Sequence, residues 1–275
     1  MRIAFSSCPN DTFVFHALVH GLVPGAPEMV VSQADIDVTN TTAGRGEYDL
    51  VKVSYAALPG LLTDYALLPC GGALGRGCGP LVLSRGKRAT APPAEWLVGA
   101  TVAIPSEQST AYLLFRQWSA EFRPARTVIL PFHEIMPAVA AGRVDAGLVI
   151  HEARFTYRRY GLTSVADLGE WWESETGLPI PLGAIIARRS LDHQALASWI
   201  RASVRHAWAH PEQSRAYVLA HAQEMDLDVV DQHIALYVNE FTENLGDDGM
   251  HAVEVLLDLP ADRLLAGAVV PPPGP

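Results

Sequence analysis

Short apolar runs alternate with stretches of helical period along most of the chain. Ile3, Ala4 and Phe5 form the first apolar run, and a turn, Ser7-Cys8-Pro9-Asn10-Asp11, follows. Asn10 or Asp11 is placed to cap a helix over 11–22. Phe13, Ala17 and Gly21, with Val14, Leu18 and Leu22, form its apolar stripe. A second strand is expected at 29–32, a weak helix at 38–47, a third strand at 50–53 and a short helix at 55–62. This βαβα order implies a mainly parallel sheet covered by helices. The Gly-rich stretch 71–77 reads as a backbone turn before an apolar strand at 81–84. Residues 85–93, basic and then Pro-rich, read as a linker.

A second βαβα run follows. It predicts strands at 102–104, 128–130 and 146–150 and helices at 109–122 and 133–141. The first of these helices carries Ala111, Leu114, Phe115, Trp118 and Phe122 on one face. Residues 152–175 read as helix and loop with Trp171 and Trp172, and 183–187 as another apolar strand. From 192 to 266 the pattern is almost wholly helical, with Leu196, Trp199, Ile200, Ser203 and Ala207 on a buried face. The tail, 270–275, is Pro-rich and expected to be extended. That helical third has no sheet of its own and must pack on earlier structure. The economical arrangement is a discontinuous α/β lobe, 1–86 plus 188–275, with an inserted α/β lobe, 87–187. The strands at 81–84 and 183–187 would carry the chain out and back. Such an architecture resembles the bilobal periplasmic-binding proteins, with a ligand cleft expected between the lobes.

Composition narrows the function classes. A hydrophobic fraction of 49% and a charged fraction of 18% over 275 residues exclude a disordered chain. Thirty Asp and Glu against twenty Lys and Arg give a net charge of −10. That argues against nucleic acid and anionic lipid as partners. Three cysteines, Cys8, Cys70 and Cys78, make neither a disulfide framework nor a CxxC zinc pair. The first residues match no signal peptide, and no run approaches the roughly 20 apolar residues needed to span a bilayer. A soluble, cytoplasmic protein is expected.

Candidate chemistry sits at predicted strand ends. His151 and Glu152 follow the strand ending at Val149-Ile150, where open α/β sheets place ligands. A helix starting there would disfavour positive charge and hold the imidazole neutral; the competing account is a polar cap, with Glu152 serving the first helical turn. Ser106-Glu107-Gln108-Ser109-Thr110 precedes a helix, which suits either anion binding or ordinary capping. Lys52-Val53-Ser54 closes the third strand, so Ser54 could bond a ligand or cap a helix, and Lys52 could add charge. Asn40 lies in a polar stretch that is uninformative alone. The glycines at 71–77 match no phosphate loop, His16 and His20 lack an HExxH pattern, and no GxSxG elbow occurs.

Several segments, in order, carry a more specific resemblance. Ser7-Cys8-Pro9-Asn10-Asp11-Thr12-Phe13, Lys52-Val53-Ser54-Tyr55, the glycine run 71–77, Thr110-Ala111-Tyr112, the run from Ile150 to Tyr157, and the run from Gly177 to Gly183 resemble the 1,4-dihydroxy-6-naphthoate synthases. These are lyases of the futalosine route of menaquinone biosynthesis, and the resemblance spans about 1–260. It implies a two-lobed α/β fold like that of the type II periplasmic-binding proteins, and conversion of cyclic dehypoxanthinyl futalosine to 1,4-dihydroxy-6-naphthoate in the cytoplasm, with no cofactor and no metal. It implies His151 as general base and Asn40, Lys52, Val53, Ser54, Ser109, Thr110 and Ala111 as substrate contacts. Ile150, Glu152 and Leu182 complete the set. Ser109 stands where the family also has Thr, which keeps a hydroxyl. The partner implied is a small carboxylate; the oligomeric state is open. Two alternatives are a chorismate dehydratase of the same pathway and a solute-binding protein without chemistry.

Overall fold

The short apolar runs pair into two sheets of five strands. A computed structural model describes residues 1–86, 91–121, 126–222 and 226–267. Its strands are β1 (Arg2–Phe5), β2 (Val30–Gln33), β3 (Leu50–Ser54), β4 (Tyr65–Gly75), β5 (Leu81–Ser84), β6 (Thr101–Ile104), β7 (Arg126–Ile129), β8 (Ala146–Val149), β9 (Thr163–Asp167) and β10 (Ile180–Arg188). One sheet runs β2-β1-β3-β10-β4 and the other β7-β6-β8-β5-β9. Each has a parallel trio, β2-β1-β3 or β7-β6-β8, flanked by one antiparallel strand, β10 or β5. The chain divides into two compact units, Met1–Gly75 with Pro181–Pro275, and Arg76–Ile180.

In the first unit, Ile3, Phe5, Leu50, Leu68 and Ile185 of the sheet are buried against helices Pro9–Val19 and His193–Ala209. Phe5 stacks on Phe15 with ring centroids 4.9 Å apart. These side chains leave water together, which is the main stabilising term for such a layer. Six helices among the described residues, between His193 and Leu264, finish the unit. In the second unit, Leu81, Leu83, Ala103 and Val149 pack on Ile135, Ala138 and Val139 of helix Phe132–Ala140.

Several expectations change. The first helix begins at Pro9, not 11, with Cys8 at the N-cap and no side-chain cap bond. Proline suits that first position because its missing N–H would have no helical partner. Asn10 and Asp11 are buried in a polar network instead. The helix ends at Val19, ahead of Gly21 at φ +71°. The weak helix is Ile36–Ala43. The glycine stretch is no turn: 71–75 continue β4. A Cβ on Gly72 would lie 2.5 Å from the carbonyl oxygen of Gly183, so these glycines let β4 pack closely on β10. Strand 81–84 lies within the second sheet, bonded to β8 and β9, and does not carry the chain between units. The units therefore divide at 75/76 and 180/181 rather than at 86/87 and 187/188. The half-buried β9 was unmarked because it is short and edge-placed in a stretch dominated by helical residues. Residues 87–90 of the expected 85–93 linker, Phe122 and the tail at 270–275 lie outside the described residues.

Candidate functional site

In the first unit, β3 ends in Lys52, Val53 and Ser54, all buried. Ser54 pairs with Gly183 of β10, which places Leu182 next to it along the neighbouring strand. Asn40, on helix Ile36–Ala43, grips this strand end twice. Its Oδ1 accepts from the Ser54 amide at 2.7 Å, and its Nδ2 donates to Ser54 Oγ at 3.0 Å. Asn40 is therefore joined to Ser54, a link that fourteen residues of separation hide. Val53 is fully buried and can offer a ligand only its main chain.

Lys52 does not bring an uncompensated charge. Its ammonium is buried and paired with the Asp11 carboxylate. Asp11 Oδ2 also accepts from the Ser6 amide at 3.2 Å and from Ser6 Oγ at 2.6 Å, and Oδ1 from Asn10 Nδ2 at 2.9 Å. Asn10 Oδ1 accepts in turn from His233 Nε2 at 3.0 Å. A buried ion pair tolerates desolvation only when its remaining lone pairs are bonded in this way. Ser6 and His233 carry no mark in the sequence, where Asn10 and Asp11 read as helix caps. His233 lies 223 residues from Asn10, and no periodicity links them.

In the second unit, Ser109 is the N-cap of helix Thr110–Trp118. Its Oγ accepts from the Tyr112 amide at 3.1 Å and donates to the Ser106 carbonyl at 2.8 Å. Ordinary capping is thus present, and it presents the helix start with Thr110 and Ala111 buried beside it. A capped helix start still directs amide dipoles outward toward negative charge.

His151 follows β8 and the half-buried Ile150. It does not open a helix. It stands in a turn at φ +55°, and the helix after it, Ala153–Thr156, has four residues with Glu152 at the N-cap. The expected support from a helix N-terminus therefore shrinks to one short turn. His151 packs edge-on against Phe132, ring centroids 5.4 Å apart. The Glu152 carboxylate makes no capping bond. One of its oxygens and a ring nitrogen of His151 lie within 4.8 Å of each other.

The two buried cysteines are poor nucleophiles. Burial pushes the Cys70 and Cys78 thiols up to about 12, so both stay protonated at neutral pH. No cysteine forms a disulfide. No helix among the described residues is long and apolar enough to cross a membrane.

Comparison with known proteins adds the following. Residues 1–262 match a family model described as menaquinone biosynthesis. A Streptomyces coelicolor protein named 1,4-dihydroxy-6-naphthoate synthase is 63% identical, covering 100% of this chain and 96% of its own length. A Thermus thermophilus protein of the same name is 45% identical, covering 100% and 98%. Among solved structures, a protein from Archaeoglobus fulgidus is similar with TM-score 0.85 and 31% identity, covering 94% of this chain and 95% of that one. The ligand-binding component of an ABC-type import system from Staphylococcus aureus matches with TM-score 0.70 at 12% identity, covering 98% of each chain. At that identity the likeness shows the fold alone, which is that of the periplasmic-binding proteins.

Proposed function

The chain belongs to the menaquinone-biosynthesis family, and from that premise we propose that it is a 1,4-dihydroxy-6-naphthoate synthase acting in the cytoplasm. Its substrate is cyclic dehypoxanthinyl futalosine. His151 is the general base, and Asn40, Lys52, Val53, Ser54, Ser109, Thr110, Ala111, Ile150, Glu152 and Leu182 bind or orient the substrate. The observation that carries the assignment of the base is the place of His151: a half-buried imidazole on a left-handed turn at the end of a buried strand, with a carboxylate beside it.

Neutral His151 takes the proton from the carbon adjacent to the substrate ketone. The electron pair left behind forms an enolate. As the enolate re-forms the carbonyl, the carbon–carbon bond to the sugar-derived fragment breaks; the fragment leaves with that bond's electron pair and takes the proton held by His151, and the ring aromatises to the naphthoate. A positioned base supplies roughly 10²–10⁴-fold of the acceleration. The rest comes from holding the substrate and from fixed donors aimed at the enolate oxygen. The Ser109 and Thr110 helix start suits the substrate carboxylate, and Ser54, oriented by Asn40, suits a hydroxyl or carbonyl. Lys52, neutralised by Asp11, supports the strand that carries Ser54 rather than adding charge to the ligand.

Incubation of the purified protein with cyclic dehypoxanthinyl futalosine, or separately with chorismate, tests the reading by mass spectrometry. Naphthoate from the first and no change in the second is the expected result. Dehydration of chorismate would establish the dehydratase instead. Tight binding of either compound without turnover would establish a solute-binding protein.

A further inference from the structure

The sequence places Arg154 three residues after His151, and the structure gives it three ties within the second unit, one from its amide and two from its side chain. Its amide donates to the His151 carbonyl at 3.3 Å and closes the turn on which His151 stands. One guanidinium nitrogen donates to the Gly79 carbonyl at 2.9 Å, and the other to Asp167 Oδ2 at 2.5 Å. Asp167 is itself held: its Oδ1 accepts from the Gly169 and Glu170 amides at 2.9 and 3.3 Å and caps helix Leu168–Thr176.

These acceptors are not scattered. Leu81, at the start of β5, is registered with Val149 of β8 on one side and with Asp167 of β9 on the other. Gly79 lies two residues before Leu81. Arg154 therefore reaches from the turn after β8 to the chain entering β5 and to the end of β9, across one edge of three adjacent strands. Arginine suits this task because its planar fork presents donors in fixed directions to two acceptors at once. The tie matters because His151 has φ +55°. A non-glycine residue keeps such backbone only when its surroundings over-determine it.

We infer that Arg154 is a positioning residue for His151: by tying the His151 turn to Gly79 and Asp167, it holds the imidazole where it takes the proton. This rests on His151 being the base, and the test separates the two claims. Steady-state kinetics and thermal melts are compared for wild type, R154M, R154K, H151A and the H151A/R154M double variant. Misplacing a reacting group by about 1 Å costs on the order of 10²-fold. R154M is therefore expected to lower kcat by about 10–100-fold with KM within about threefold, and R154K to recover part of that loss. In the H151A background, R154M is expected to remove less than about twofold more, because residues acting through one another do not add. Near-wild-type kcat in folded R154M, or its full loss repeated on top of H151A, overturns the positioning role while leaving the base assignment intact. Near-wild-type kcat in H151A overturns the base assignment itself. If R154M does not fold, R154K carries the same test: a kcat loss that vanishes in the H151A background supports the role, and one that persists there overturns it.

Discussion

His151 stands on backbone that most side chains avoid, and Lys52 lies where most charges cannot stay. The two residues show different ways of paying for a buried polar site. His151 sits on a left-handed turn at the end of β8. Lys52 is held by a carboxylate whose four bonds come from Ser6, twice, Asn10 and Lys52 itself. Removing one member of such a pair leaves a buried charge unmatched, at a cost of about 3–5 kcal/mol. Asp11→Ala is therefore expected to lower unfolding free energy by that amount in urea titration, and Lys52→Met likewise. The double variant is expected to lose less than the sum of the two. Strict additivity would show that the pair is not coupled in the folded state. The single residues of the site were legible in part. His151 and Ser54 stand at strand ends, which apolar runs reveal. Asn40 was opaque because its significance is one partner fourteen residues away. Asp11 read as a helix cap because a turn containing Asn and Asp looks the same whether its carboxylate faces solvent or an ammonium.

At the scale of elements, apolar runs located eight of the ten described strands, since a buried strand must be short and almost wholly apolar. Two elements escaped for opposite reasons. β9, Thr163–Asp167, is a half-buried edge strand and lacks the apolar density that marks the others. In β4, Tyr65–Gly75, glycines stand where close packing demands them, and glycine is the usual signature of a turn, so the whole strand went unread. The same close approach makes a sharp prediction. Gly72→Ala places a methyl group against the Gly183 carbonyl oxygen and forces β4 from β10, at about 1–3 kcal/mol. Gly60→Ala, with no atom within 4 Å of the added carbon, is expected to change stability by less than about 0.5 kcal/mol. Urea midpoints of the two variants check this. Equal midpoints would contradict the packing role assigned to Gly72.

The whole molecule follows from one interruption. The first sheet needs β10, which arrives only after the second unit has been completed, and β10 lies between β3 and β4. The helical last third thus serves a sheet begun at residue 2, as its lack of strands implies. The acidic balance of the chain, −10 overall, is compatible with a carboxylate ligand because recognition of one anion rests on nearby donors rather than on net charge. Global repulsion is screened within about 10 Å at ordinary ionic strength. In the proposed chemistry one imidazole removes the proton that starts carbon–carbon cleavage. Its most direct test is His151→Ala, read by turnover and by calorimetric binding of cyclic dehypoxanthinyl futalosine. Naphthoate formation is expected to fall by at least about 10²-fold while affinity stays within about tenfold. Turnover near the wild-type rate, in a variant that binds normally, would contradict it.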